Sequence, residues 1–193
     1  LAVFLVLRPV SRRALASTAG NGRLVASTLG RASAITAAQA LLLVALLHLA
    51  VGVPWSSLPA TIGFSLVMSL GFTAFHYLPT IGLGRAGLVV SLFLLAVQVT
   101  STGGLYPVQL LSLPFQWISP FLPLTYGVQG MQSIIAGGDA WPAVIAAVTL
   151  LAFGLGSVLV ALLAIRRTRR ARALGLTLAT VPIRQSRPLP RSA

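Results

Sequence analysis

Chemistry needs titratable or nucleophilic groups that can converge, and this chain of 193 residues offers few of them. It has a single acid, Asp139, two histidines, His48 and His76, and no cysteine. Without cysteine there is no disulfide, thiolate metal site or cysteine nucleophile. A Ser–His–Asp arrangement requires an acid that orients the histidine. Here Asp139 stands beside a helix start on the outer side, whereas His76 falls near the cytoplasmic end of its own apolar segment. His48 lies in the leucine-rich run ALLLVALLHLAVG with no second ligand nearby. A packed or hydrogen-bonded imidazole fits it better than a metal ligand, although an ionisable group inside a span still marks a position to inspect. Lysine is absent, which excludes a Walker A loop. Nucleotide hydrolysis, if it drives this protein, belongs to another chain. The residues predict no enzyme, no catalytic residue, no metal and no cofactor.

The uncharged polar residues within apolar segments are Gln39 and Gln98, read as interhelical hydrogen-bond donors rather than substrate ligands. The most distinctive stretch is TSTGGLYPVQLLSLPFQWISPFLPLTYGVQG, residues Thr100 to Gly130. It is apolar enough for a membrane. It is also broken by Gly103, Gly104 and the prolines Pro107, Pro114, Pro120 and Pro123. Each proline removes a backbone donor and clashes with the preceding turn. Backbone freed at membrane depth is tolerated only where protein or a water-filled cavity satisfies it. The aromatics Tyr106, Phe115, Trp117, Phe121 and Tyr126 suit an interfacial belt on a re-entrant helical hairpin. A sharper reading makes that hairpin the exit of a translocation route.

Composition supports membrane insertion. The chain is 56% hydrophobic and 8% charged, with a mean hydropathy of +0.94. A soluble domain carries about 25% charged residues. The net charge of +13 comes from arginines clustered at the ends of apolar segments. That is the positive-inside pattern rather than a nucleic-acid surface. The partners expected are the lipid bilayer and its anionic headgroups, not nucleic acid.

The segments follow in order. Residues 1–8 are too short to span and read as the end of a truncated helix, so the chain is expected to be the C-terminal part of something longer. Residues 11–31 read as a weakly amphipathic interfacial segment bearing Arg12, Arg13, Arg23 and Arg31, broken at Gly20-Asn21-Gly22, and either a plain loop or a contact for a soluble partner. Complete spans are expected over 33–53, 59–78, 86–102 and 143–165, with the re-entrant region 103–130 before the last. The second is rich in Gly63, Ser65, Ser69 and Gly71, which permit close packing. Asp139-Ala140-Trp141-Pro142 supplies a cap, an interfacial anchor and a first-turn proline. Arg166, Arg167, Arg169, Arg170 and Arg172 fix the other end of that span to the cytoplasm. Residues 174–193 read as a basic disordered tail, closing a permease-like unit over 1–173. The fold class expected is an all-α, polytopic helical bundle in the plasma membrane of a bacterium, with its C-terminus cytoplasmic.

Gly103-Gly104-Leu105-Tyr106-Pro107 followed by Ser119-Pro120-Phe121-Leu122-Pro123-Leu124-Thr125-Tyr126 resembles the C-terminal membrane region of the YhgE/Pip (phage infection protein) family. That region is similar to the membrane subunits of type-2 ABC exporters. The resemblance covers about Arg8 to Arg172. It implies that residues 11–30 take the place of a cytoplasmic coupling helix, with Arg12, Arg13 and Arg23 on it. It also implies a separate ATPase subunit, a homodimer, and an exit hairpin carrying the motif residues. The function expected is outward movement of a hydrophobic or amphipathic substrate or a polypeptide. The alternative is a non-transporting anchor or receptor serving an external region.

Overall fold

In the computed structural model, residues 21–83, 85–102, 108–137 and 139–179 are described, without the side chains of 21–24, 85, 108 and 168–179. All regular elements among them are helical: α1 (Asn21–Leu46), α2 (Leu58–Leu83), α3 (Arg85–Ser101), α4 (Leu113–Ile118), α5 (Pro123–Ala136) and α6 (Trp141–Ala179). Three stretches are long and apolar enough to cross a membrane: Val25–Val51, Trp55–Leu83 and Trp141–Arg167. Their surface inverts that of a water-soluble protein. Leu42, Leu49 and Phe93 are 68%, 75% and 68% exposed, while Gln98, Ser91 and Thr61 are fully buried. An apolar exterior around a hydrogen-bonded interior is what lipid as solvent demands.

Helix α2 is the hub, packed on α1, α3, α5 and most extensively on α6. Its close approach to α6 depends on two small residues. A Cβ on Gly71 would lie 2.9 Å from the Leu150 carbonyl oxygen, and one on Gly154 would lie 3.2 Å from the Gly71 Cα. Gly63, from the same small-residue series, has open space around it. At one end of the bundle Val25, Ala32, Tyr77, Ala161 and Ile165 form a buried apolar cluster. The arginines 31, 166 and 167 belong to this end. At the other end are Trp55 and Trp141, both exposed. The Asp139 carboxylate accepts the Trp141 N–H at 3.0 Å, capping α6 as its sequence predicts.

Several boundaries differ from the sequence reading, each for a physical reason. Helix α1 is continuous over Asn21–Leu46, so Arg23 and Arg31 lie on a continuation of the first span rather than in a separate interfacial piece. Val25, Leu29 and Ala32 recur at helical spacing and pack on α2 and α6, which extends the helix below the apolar run. Helix α2 continues through Pro79 to Leu83, shrinking the expected TIGLGR loop. The first turn of α3 lies so close there that a side chain at Gly87 would strike the Pro79 carbonyl. Helix α3 has 17 residues, about 25 Å at 1.5 Å per residue, short of the roughly 30 Å hydrocarbon thickness. Three membrane-length stretches are therefore seen where four spans were expected. Helix α6 runs on through its arginines to Ala179, because arginine is a good helix former and no proline intervenes. Residues 174–179, expected to be disordered, are helical. Residues 1–20, with Arg12 and Arg13, the glycines and aromatic at Gly103, Gly104 and Tyr106 with Pro107, and residues 180–193 lie outside the described residues.

Candidate functional site: the elbow of the broken hairpin

Between α3 and α6 the chain forms a 3-10 turn at Val108–Leu110, the short α4, a second 3-10 turn at Ser119–Phe121, and α5. The breaks fall at the prolines, as the sequence requires. Gln116 steadies the approach, its side-chain amide donating to the carbonyls of Leu111 at 2.6 Å and Gln109 at 3.2 Å.

The elbow at Ser119–Tyr126 is a set of proline-made vacancies filled by specific side chains. Pro123 has no N–H to offer the Ser119 carbonyl one turn earlier. That carbonyl accepts instead the Leu122 N–H, at 3.1 Å, and the Thr125 hydroxyl, at 2.7 Å, which also lies 3.1 Å from the Ser119 hydroxyl. The Leu124 N–H turns away from the Pro120 carbonyl to Gln98 Oε1 at 3.3 Å. The Tyr126 hydroxyl donates to Pro120 in its place, at 2.9 Å. Tyr126 thus supplies a donor to the Pro120 carbonyl, and Thr125 adds a second one to the Ser119 carbonyl.

Gln98 ties this elbow to the bundle. The N-cap position of α5 is Leu122, whose side chain cannot cap, so Gln98 from α3 caps the helix from outside. A backbone N–H only donates, which fixes Oε1 toward Leu124 and turns the Gln98 NH2 toward His76 Nε2, 3.4 Å away. His76 Nε2 then accepts, and Nδ1–H donates to the Ser91 hydroxyl at 2.6 Å. In that tautomer the imidazole donates a hydrogen bond to the serine oxygen. Phe72 stacks on His76 and Phe75 meets it edge-on, with centroids 6.1 and 5.4 Å away. Three helices, α2, α3 and α5, meet in this buried polar line.

The elbow lies deep. Gln98 is about 20 Å along α3 from Arg85, whereas the whole of α2 is about 39 Å long. The Tyr126 ring is 6.1 Å from Phe153, about 18 Å along α6 from Trp141. From that mid-depth start α5 climbs along α2 and α6 to Gly137, whose φ of 68° ends the helix beside Asp139. Gly130 makes the climb possible, since any side chain there would collide with Phe64 and Ala146. The short α3 leaves the half of the bundle toward Trp55 and Trp141 open, and α5 fills it. On either side of α5 runs a groove. One, of about 470 Å³, lies toward α6 and reaches Asp139; the other, of about 490 Å³, lies toward α1.

Of the motif residues singled out in sequence, Pro120, Phe121, Pro123, Thr125 and Tyr126 assemble at the elbow. Phe121 is 75% exposed and points outward, with no part in the polar line. Gln98 makes the interhelical bond expected of it; Gln39 is exposed in the groove toward α1. Ser91 carried no sequence signal, because a serine in an apolar helix is common and its partner is 15 positions away in the chain; Ser119 stood in the motif without a role of its own. His48 is a packed imidazole, as its surroundings suggest. It donates from Nδ1 to the Val44 carbonyl at 2.9 Å within a π-turn, and its ring lies 5.5 Å from Trp55. Among the described residues no three His, Cys, Asp or Glu side chains cluster as a metal site would require.

Comparison with known proteins gives one partial likeness. A stretch of 101 residues is 30% identical to a Bacillus subtilis (strain 168) protein described as uncharacterized protein YhgE. The match covers 52% of this chain and 13% of the Bacillus protein. No family model and no solved structure matches the chain.

Proposed function

We infer that the chain is the membrane-embedded part of an exporter of the type-2 ABC kind, and that the broken hairpin is its outer gate. The observation that carries this reading is the elbow, which reaches about half-way down the bundle and is joined to α2 and α3 by a buried polar line. The partial likeness to the Bacillus YhgE protein supports it, as does the order of the motif around Ser119–Tyr126. In this reading the arginine-bearing end, with Arg166, Arg167, Arg169, Arg170 and Arg172, faces the cytoplasm of a bacterium, and Asp139 and the tryptophans face outward.

A separate ATPase would engage the region of Arg12, Arg13 and Arg23, in a complex containing two copies of this chain. Closure of the ATPase would tilt α2 against α6 about the Gly71–Gly154 crossing. His76 on α2 and Gln98 on α3 would pass that movement to the first turn of α5, and the hairpin would swing beside its two grooves. A neutral hydrophobic or amphipathic substrate suits these walls.

The test is affinity purification of the full-length protein from its host membrane, together with export measured in a deletion strain. Recovery of an ATPase and loss of export on deletion support the reading. A preparation without ATPase, from a strain whose export is unchanged by deletion, overturns it.

A further inference from the structure

The groove toward α1 has a composition of its own. It runs between α1 and α5 over a floor supplied by α2, and its volume is about 490 Å³. From Thr36 to Leu47 along α1 its length is about 16 Å. No residue lining it is charged. Both methionines of the chain, Met68 and Met131, are in its walls. Methionine is a flexible and polarizable wall that adapts to irregular apolar ligands. Gly127 lets the Met68 side chain lie directly against α5, since a Cβ there would lie 3.0 Å from its terminal methyl.

The groove opens sideways, between helices whose neighbouring residues Leu42 and Leu46 are 68% and 55% exposed. Around a surface of that kind the solvent is hydrocarbon, so the molecules that reach the opening are acyl chains. At the tryptophan end sits the carboxamide of Gln132, and at the other end that of Gln39, both exposed. Among the described residues neither amide has a protein hydrogen-bond partner. An amide left dry in lipid is costly, and the ester carbonyl of a lipid at the tryptophan end would satisfy Gln132.

We propose that this groove is a binding site for one acyl chain of a membrane phospholipid, with the ester linkage at Gln132 and the chain lying between Met68 and Met131. The site stands independently of transport: a lipid held there wedges α5 away from α1 whether or not anything is exported.

The two methionines make the test direct. The full chain is produced with photo-methionine in place of methionine and reconstituted in phosphatidylcholine nanodiscs. It is then irradiated, and the intact protein and its peptides are weighed. The expected result is a covalent phospholipid adduct at positions 68 and 131. That adduct is lost in Ala40→Trp, which fills the groove from α1, and in Val128→Trp, which fills it from α5. Two substitutions on opposite walls guard against either one failing to fold, and a circular dichroism melt reports which is folded. Absence of the phospholipid adduct in the unmodified chain overturns the proposal. So does an adduct equally strong in a folded, filled variant. Covalent joining of two copies at these positions also overturns it, because the occupant is then a second protein.

Discussion

Thr125 and Tyr126 each do one thing at the elbow that a close isostere cannot. Thr125→Val keeps the shape but removes one of the two donors to the Ser119 carbonyl, the Leu122 N–H remaining, which should cost about 0.5–1.5 kcal/mol. Thr125→Ser retains the hydroxyl and should lose much less; thermal melts of the two variants in detergent check the difference. Gln98→Leu removes both the cap on Leu124 and the donor to His76. It should lower the melting temperature and accelerate amide exchange at the start of α5, while exchange at the start of α6, capped by Asp139, stays unchanged. Equal acceleration at both helices would contradict a local capping role. The prolines and the Thr-Tyr pair were visible in the sequence as a motif. Their mutual satisfaction was not, because it depends on where a carbonyl is left when Pro123 arrives one turn later. Gln98 could be read as an interhelical donor, yet its acceptor side faces a residue 26 positions away.

At the scale of helices, the glycines divide into those that are pressed and those that are not. Gly71→Ala and Gly130→Ala should each destabilise by about 1–3 kcal/mol through overpacking. Gly63→Ala, with nothing within 4 Å of its new methyl, should be neutral or stabilising by up to about 1 kcal/mol from helix propensity. Chemical or thermal denaturation of the three variants side by side separates them. A small-residue series in sequence announces that some close crossing exists, but only the rotation of α2 decides that Gly71 faces Leu150. The ends of the helices were less legible for a related reason. Apolarity marks where lipid begins and ends, whereas a helix stops only where its backbone is interrupted. The α1 and α6 helices therefore outrun their apolar runs. Proline at position 79 looked like such an interruption; the packed neighbour at Gly87 shows how tightly the helix is held past it.

For the whole molecule, the arginines and tryptophans at opposite ends make a prediction about orientation. The chain contains no cysteine, so single cysteines can be introduced without background. Placed at Trp55 or Asp139, they should react with a membrane-impermeant maleimide on intact cells. Placed at Arg167, a cysteine should react only after permeabilisation. The reverse pattern would invert the topology and with it the outer position of the hairpin.

The depth of the elbow is the claim on which the gate rests, and Phe121 reports it with least disturbance because its ring is already exposed. A spin label on Phe121→Cys in reconstituted bilayers can be compared with labels at Trp141 and Arg167 by power saturation with oxygen and with a water-soluble nickel complex. The account predicts that the label at 121 is relaxed by oxygen far more than by nickel, placing it deeper in the hydrocarbon than the label at 141. A label at 121 as open to nickel as the one at 167 would place the elbow in water and contradict a re-entrant hairpin.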